Sequence, residues 1–534
     1  MTTPLFVGSD WSRELLARVT EEISRICDEE LKLDCFPMHI CTITAEQMLD
    51  TYASGGVPVY AHWSYGKQFF LNRRLYEQGG MGLAYELVIN SDPCIVYCME
   101  GNSMTMQTLV IAHAGFGHNH FFKNNHSFKQ WTDPSSVVDY LKFSRDLVTQ
   151  YEGEHGIGAV QDFLSACHAW SHYGIDKYKH PRPLSVLEEK ERMRVRAAQV
   201  QENLNVIWRI IPATPDVVGE EEKEEEEDKV FPSEPQENIL YFIEKNAPSL
   251  PPWKRELIRI ARKKAQYFYP QMLTKLMNEG FATFVHHHVM TRLWEKGLLT
   301  EASYQEFLVS HTNIAFQPGF DERRHVVSGH DKDGRPIVRE KPIYNGVNPY
   351  ALGFALFTDI KRMCENPTEE DRKWFPHLAG APWLEAVKWA AENFTDKTFV
   401  EQYLSPKVIR DFKFFSLRND DEEDEIVVSA IHDDDGYRDI RNTLAQRSNL
   451  GADIPVVQVT DVDRRGDRTL TLVHDVHMRQ RLDAHDTEAS LALLYQLWGY
   501  PVALSSIDEE GHILDTWECL DGEDVEHSDG LKEL

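Results

Sequence analysis

Two stretches of this chain concentrate the residue types that do chemistry. The first runs from Ile111 to Asn125 and carries His113, His118 and His120 among glycines, aromatics and amides. Five residues around an α-helix is about 500°, so His113 and His118 do not share a face of one straight helix. Gly115 and Gly117 are therefore expected to turn the chain, placing one histidine on a last helical turn and the other just beyond it. Metal sites built at helix ends converge in that way. The plainer alternative is a glycine-capped helix with buried, hydrogen-bonded histidines.

The second stretch, Met277 to His288, holds Glu279 and His286 seven positions apart. That is about 700°, nearly two full turns, so both project from one side of a helix. A carboxylate and an imidazole on one inward face are costly in an apolar core unless they bind something. Gly280 and Ala282 beside them leave room for another backbone or a ligand. The spacing is not the His-Glu-x-x-His zinc signature, and His287 and His288 rotate away from His286. Taken together, His113, His118 and His286 offer nitrogens and Glu279 an oxygen. This is the ligand chemistry of one divalent metal, zinc foremost, with iron or manganese also suited. Glu279 is then either a ligand or the catalytic base that activates a water. A polar network between helices, with no metal, uses the same residues.

Secondary candidates surround these. Glu86, within Ala84 to Asn90, reads as a carboxylate inside an apolar helix, either a further ligand or a salt-bridge partner. His168 follows Cys167 on a helix, where sequence neighbours diverge, so a core cysteine is expected rather than a nucleophile pair. His120, Asn125 and His311 complete the set. Asn345, Asn348, Pro349 and Tyr350 read as loop and cap residues that open a helix. The chain has no phosphate-cradling Gly-Lys-Ser/Thr loop and no Gly-x-Ser-x-Gly elbow, which argues against nucleotide hydrolysis and serine-hydrolase chemistry.

The elements that must position these residues are mostly helical. Apolar spacing of three and four predicts helices over 11–27, 136–151, 157–172, 185–211, 252–269, 270–296, 303–309, 349–364 and 383–394. Between them, Thr214 to Glu237 combines Pro215, Gly219, an acidic run and Pro232 and Pro235, and reads as an exposed acidic loop. Asp331 to Gly334 reads as the turn of an exposed hairpin. From Glu425 the period changes to strand, helix, strand, strand, helix, strand, with Gly466 expected to supply the positive φ of a hairpin. The expected fold is therefore α+β. It comprises a large mainly α-helical domain over 1–420, a small ferredoxin-like βαββαβ domain over 425–515, and an acidic tail over 516–534.

Composition bounds the setting. With 534 residues, 42% hydrophobic and 27% charged, the chain suits a globular protein with one or more large cores. The formal charge of 56 − 86 = −30 opposes binding to nucleic acid or to an anionic membrane. Eight cysteines are too sparse for a disulfide scaffold, and the closest pair, Cys94 and Cys98, lacks redox or zinc-knuckle spacing. The N-terminus lacks signal-peptide character and no apolar run is long enough to form a transmembrane segment. A cytoplasmic location is expected.

As a set these motifs resemble the SpoVR (stage V sporulation protein R) family. The likeness runs through His62 to Lys67, Gly82 to Asn90, His113 to Asn125, Tyr267 to Pro270, Asn278 to Ala282, His311 to Asn313, Asn348 to Gly353, Leu404 to Val408 and the Arg464 to Thr469 turn. The resemblance implies a large helical domain followed by a small one. It also implies a cytoplasmic protein tied to spore cortex formation, sporulation or stress physiology, and partnership with a PrkA-type serine protein kinase and its companion protein. No established reaction comes with it. The family pattern of a glutamate followed by Gly-Trp-Ala and a histidine carries over to Glu279 and His286, and its His-and-Gly-His-Asn pattern to His113 and His118. Phe281 stands where the family has Trp, and Asp321 to Lys341 looks like an insertion.

Two functions compete at this level. One is a metal-dependent hydrolase acting on a peptide-like or peptidoglycan-precursor bond, with His113, His118 and His286 as metal ligands and Glu279 as base. The other is a non-catalytic regulatory or scaffold partner of the kinase, acting through the acidic loop or the small domain. A metal-centred oxidoreductase is a third option, since these ligands also suit iron.

Overall fold

The computed structural model describes residues 3–54, 56, 59–78, 85–177, 194, 231–319, 322–330, 336–344, 346–414, 417–418, 427–428, 433–448, 454–464, 466–476 and 481–530. The expected helix at 185–211 and most of the acidic loop, 214–230, lie outside them. The chain divides into two compact units, one of Met1–Gln161 with Gln266–Ile454, the other of Asp162–Ala265 with Pro455–Leu534. That division differs from a simple cut at 420.

In the first unit a three-stranded sheet has the order β1 (Met38–Ile43), β3 (Cys94–Met99), β2 (Glu86–Ile89), with β1 parallel and β2 antiparallel to β3. Glu86 thus begins a strand, not the helix its apolar neighbours suggest. A run of three β-branched and aliphatic residues, Leu87 to Ile89, is too short for periodicity to tell strand from helix. A hairpin of β4 (Arg323–His330) and β5 (Pro336–Pro342) forms where an exposed hairpin was expected.

The core of this unit is a helix, Lys275–Glu295, flanked by the helical run Met104–Asn124 and by the helix Pro349–Glu365. Its fully buried apolar side chains include Met277, Phe281, Val285 and Val289, which explains why its hydrophobic pattern reads as buried nearly all round. The helix does not cap itself. The Asp396 carboxylate, from the helix Asp396–Tyr403, accepts the N–H groups of Leu276 at 2.8 Å and Met277 at 2.9 Å. A carboxyl accepting from those otherwise unpaired donors fixes where the helix starts, although burial pushes its pKa up to about 7. Pro349–Glu365 is capped by Asn348, whose side chain accepts the Tyr350 N–H at 3.0 Å, with Pro349 pre-set for the first turn.

Farther along the same helix, Arg362 grips Asp371 with two bonds of 2.7 and 2.8 Å and Asp359 with one of 2.6 Å. Burial would raise the Asp371 carboxyl, but Arg362 and Thr368 outweigh it and hold it at about 2 against an ordinary 3.8. A depressed carboxyl contributes stability that is present above its unfolded pKa and lost as the pH falls through its folded one. The urea midpoint should therefore drop as pH falls from 3.8 to about 2. In Asp371→Asn that part of the acid dependence should vanish; an unchanged acid slope would refute the assignment.

The carboxy-terminal region keeps the expected α+β character but not the expected topology. Among the described residues Val427–Val428 (β7) pairs with Leu417–Arg418 (β6), and the following helix Asp434–Arg447 packs on Asp396–Tyr403, within the first unit. The sheet of the second unit has five strands: β8 (Val456–Val462), β9 (Leu470–Asp475), β10 (Val502–Ile507), β11 (Ile513–Cys519) and β12 (Val525–Asp529). Their order is β12-β11-β10-β9-β8, with one parallel pair, β9 and β10, joined through the helix Ala484–Trp498. Among the described residues this order is not that of a ferredoxin-like βαββαβ sandwich. Two strands occupy the region expected as an acidic tail, because Trp517 and Cys519 alternate inward among surface acids. At the β8–β9 turn the positive φ belongs to Arg468 rather than Gly466.

Trp170 and Gln236, from the described part of 162–265, bond to this region. Gln236 exchanges backbone hydrogen bonds of 2.9 Å with Val459, and Trp170 Nε1 donates to Ser490 O at 2.8 Å. Among the described residues no helix is long and apolar enough to cross a membrane.

Candidate metal centre

His113 and His118 come together by a device the five-residue spacing does not reveal. The helical run from Met104 to Asn124 widens between Ile111 and His118 into a π-helix. Hydrogen bonds there run from i to i+5, so residues five apart stack on nearly the same face. The chain does not turn at Gly115 or Gly117; it stays helical, and the two rings meet edge to face with centroids 4.6 Å apart. Gly117 serves a different need. A Cβ there would lie 2.6 Å from the Cα of Ala282, so its absence lets this helix and the Glu279 helix touch backbone to backbone.

Glu279 faces the pair. Its Oε2 lies 3.6 Å from His113 Nε2 and 3.5 Å from His118 Nε2. Glu86, at the start of β2, brings its Oε1 to 3.8 Å from the same His113 nitrogen. The ligating atoms of His113, His118 and Glu279 all lie within 4.8 Å of one another. These separations are too long for good hydrogen bonds, and the buried Oε2 of Glu279 has no hydrogen-bond partner. The two Glu279 separations lie slightly above the spacing of ligands around one ion, since donors about 2.0–2.1 Å from a tetrahedral centre are about 3.3–3.4 Å apart.

Behind the rings, the remaining nitrogens are held. His118 Nδ1 sits 2.8 Å from Asn278 Oδ1, which only accepts, so this nitrogen carries a proton and the ring turns Nε2 toward Glu279. His113 Nδ1 sits 2.9 Å from His286 Nδ1, and His286 Nε2 sits 3.0 Å from His311 Nδ1. Outer partners of this kind are what orient metal-binding imidazoles.

The electrostatics follow from crowding of like groups with an opposite one. Burial would raise the Glu279 carboxyl, but His118 and His113 outweigh it and hold it well below the usual carboxylate range. Burial would lower His118, yet Glu279 and Asn278 raise it on balance. Glu86 is raised by burial and by Glu279, despite the nearby histidines. His286 is driven well below its ordinary value by burial and by His113 and His311, and His311 falls to about 4 through burial and its neighbours His287 and His113. Burial, with Glu279 and Glu86 close by, keeps the Tyr350 phenol protonated far above its usual range. The Tyr350 ring stacks over His113 with centroids 6.3 Å apart. Both carboxylate side chains keep 19% exposure, so the centre is reachable from their side.

The structure therefore gathers His113, His118, Glu279 and Glu86. His286, expected as a ligand, does not face Glu279: both its nitrogens contact histidines, and it backs His113. His311 backs His286 in turn. His120 points elsewhere, its Nδ1 2.9 Å from the Asp34 N–H and 3.1 Å from Asn124 Nδ2, its ring stacked on Phe281. Asn125 is a cap and tie, accepting from Ser127 N at 2.9 Å and donating to Ala391 O at 2.8 Å. His168 lies in the other unit. Sequence reasoning gave no role to Asn278 or Asp396 and read Tyr350 as a loop and cap residue. Asn278 adjoins Glu279 and was open to notice as a second polar residue on a buried turn. Tyr350 and Asp396 come from distant helices and carry no local signal.

Residues 10–453 match the family described as SpoVR like protein, and residues 455–509 match the SpoVR-like C-terminal domain. The border between the two falls where the second unit's carboxy-terminal part begins. A protein of Escherichia coli (strain K12), described as Uncharacterized protein YcgB, is 48% identical over 513 residues, covering 96% of each chain. No solved structure is significantly similar. The His113, His118 and Glu279 constellation lies inside a family match that spans most of the chain, and the chain belongs to the SpoVR-like family.

Proposed function

We propose that the protein is a metal-dependent hydrolase whose first unit holds one divalent ion between His113, His118 and Glu279, with Glu86 facing the same point. The observation that carries this reading is the buried, unpartnered Oε2 of Glu279, set between two Nε2 atoms at 3.5 and 3.6 Å. A buried carboxylate oxygen with no hydrogen bond and only long ion pairs to two imidazoles is poorly satisfied, and an ion between the three groups would give each a direct bond. Two nitrogens and carboxylate oxygen suit zinc foremost, and iron or manganese as well.

When bound, such an ion acts as a Lewis acid and brings the pKa of a water toward neutrality. The chain's own residues divide the remaining work. Glu279, expected as the base, sits where a ligand belongs. Glu86, raised by its surroundings, is the carboxyl suited to take and return a proton. Tyr350 keeps its proton beside the two carboxylates. The resemblance to proteins of spore cortex formation supports a peptide-like or peptidoglycan-precursor bond as the substrate.

Elemental analysis of protein purified without chelator tests the reading. About one equivalent of a divalent metal is expected in the wild type, and less than about a tenth in His118→Ala, since removing a ligand costs more than the roughly 10–100-fold typical of an outer partner. A wild-type protein that neither retains nor takes up a divalent metal would end the proposal.

A further inference from the structure

The two imidazoles of the centre are backed differently. Behind His118 stands an amide oxygen that only accepts, so the direction of that hydrogen bond is settled. Behind His113 stands another imidazole, which accepts at one nitrogen and donates at the other. The pair His113 and His286, Nδ1 to Nδ1 at 2.9 Å, therefore has two states.

In one state His113 carries its proton on Nδ1 and gives it to His286, leaving the Nε2 lone pair free toward Glu279. In the other, His286 donates, and the His113 proton sits on Nε2, where the Glu279 carboxylate 3.6 Å away attracts it. Only the first state can take up an ion through Nε2.

We propose that His286 and His311 are positioning residues that select the ion-binding tautomer of His113. This inference rests on the metal reading above. If His286 accepts at Nδ1, its own proton must be on Nε2, and the acceptor there is His311 Nδ1 at 3.0 Å. His311 in turn keeps its proton on Nε2. The three buried rings thus form a single directed chain, and the acceptor at its far end opposes the pull of Glu279 on the wrong tautomer. His311 lines a pocket of about 470 Å³ together with Thr312, Phe316, Phe354 and Arg362, so the chain leads from the centre to a wall open to other molecules. Apparent affinity falls in proportion to the fraction of molecules in the competent state, which makes His311 a determinant of metal binding that never touches the ion.

Zinc affinity of the full chain, measured by competition with a chelator, separates this role from simple packing. His311→Leu removes the acceptor and should weaken zinc binding about 10–100-fold. His311→Asn places an amide oxygen where Nδ1 stood and should restore binding to within about threefold of wild type, because an acceptor for His286 returns. Two-bond ¹⁵N–¹H spectra of histidine-labelled, zinc-loaded protein should show protons on Nδ1 of His113 and on Nε2 of His286 and His311. Equal zinc affinity in His311→Leu and wild type overturns the relay while leaving the metal centre standing. So does an Asn variant as weak as the Leu variant, or the opposite tautomers. A wild-type protein that binds no zinc, iron or manganese overturns both the relay and the reading it rests on.

Discussion

Glu279→Gln should abolish metal uptake while leaving the fold intact. The substitution keeps the shape of the side chain but removes the charge that faces two imidazole nitrogens at 3.5 and 3.6 Å. Loss of an outer partner alone typically costs 10–100-fold in affinity, so loss of the anionic ligand should cost more than about 100-fold. Metal-free, the variant should be somewhat less stable than the wild type at neutral pH, because His118 and His113 hold the wild-type carboxyl well below its usual range and that stabilisation is lost with the charge. Thermal unfolding with and without zinc reads both effects. A ligand that binds only the folded state raises its stability in proportion to the logarithm of its concentration over Kd. Zinc should therefore raise the unfolding temperature of the wild type and leave the variant unmoved. A variant that still responds to zinc like the wild type would remove Glu279 from the ligand set.

Gly353→Ala should damage both stability and the centre. A Cβ at Gly353 would meet the Leu276 carbonyl oxygen at 2.3 Å and the Gly280 Cα at 2.7 Å. These are backbone atoms, so no side chain can swing aside, and the two helices must separate. Overpacking of this kind costs about 1–3 kcal/mol. The Glu279 helix is pressed from its other side by the π segment, where Gly117 abuts Ala282, so it has little freedom to retreat. Displacing it also moves Glu279 from His113 and His118, and metal geometry tolerates only about 0.2 Å. A lower urea midpoint and at least about tenfold weaker zinc binding are expected together. Gly153→Ala is the control: nothing lies within 4 Å of a Cβ there, on the helix Val137–His155. It should gain up to about 1 kcal/mol from helix propensity. Should Gly353→Ala unfold at the wild-type midpoint, the close helix contact is not as described.

The long amphipathic helices were legible because burial of one stripe repeats every three or four residues. Predicted spans such as 11–27, 349–364 and 383–394 match Arg13–Ile26, Pro349–Glu365 and Trp383–Asn393 to within a residue or two. Short apolar segments were not legible. Glu86–Ile89 reads equally as helix or strand, and its pairing with β3, not its composition, settles the matter. The expected ferredoxin-like order failed for a related reason: the elements after 425 were identified nearly in place, but the first strand and helix pack in the other unit. Element order along a chain does not state which sheet a strand joins.

For the site, residue types and spacing alone singled out His113, His118, Glu279 and His286, because buried imidazoles and a carboxylate beside glycines are costly without a purpose. They also determined family membership and the predominance of helix. Only the tertiary structure decided that a π turn brings His113 and His118 to one face, that Glu86 joins them, and that His286 stands behind His113 instead of beside Glu279. The physical reason is that a ring nitrogen's role depends on what lies within about 3 Å of it. Those neighbours come from helices and a strand up to two hundred residues apart, held together by glycine contacts that no local pattern encodes.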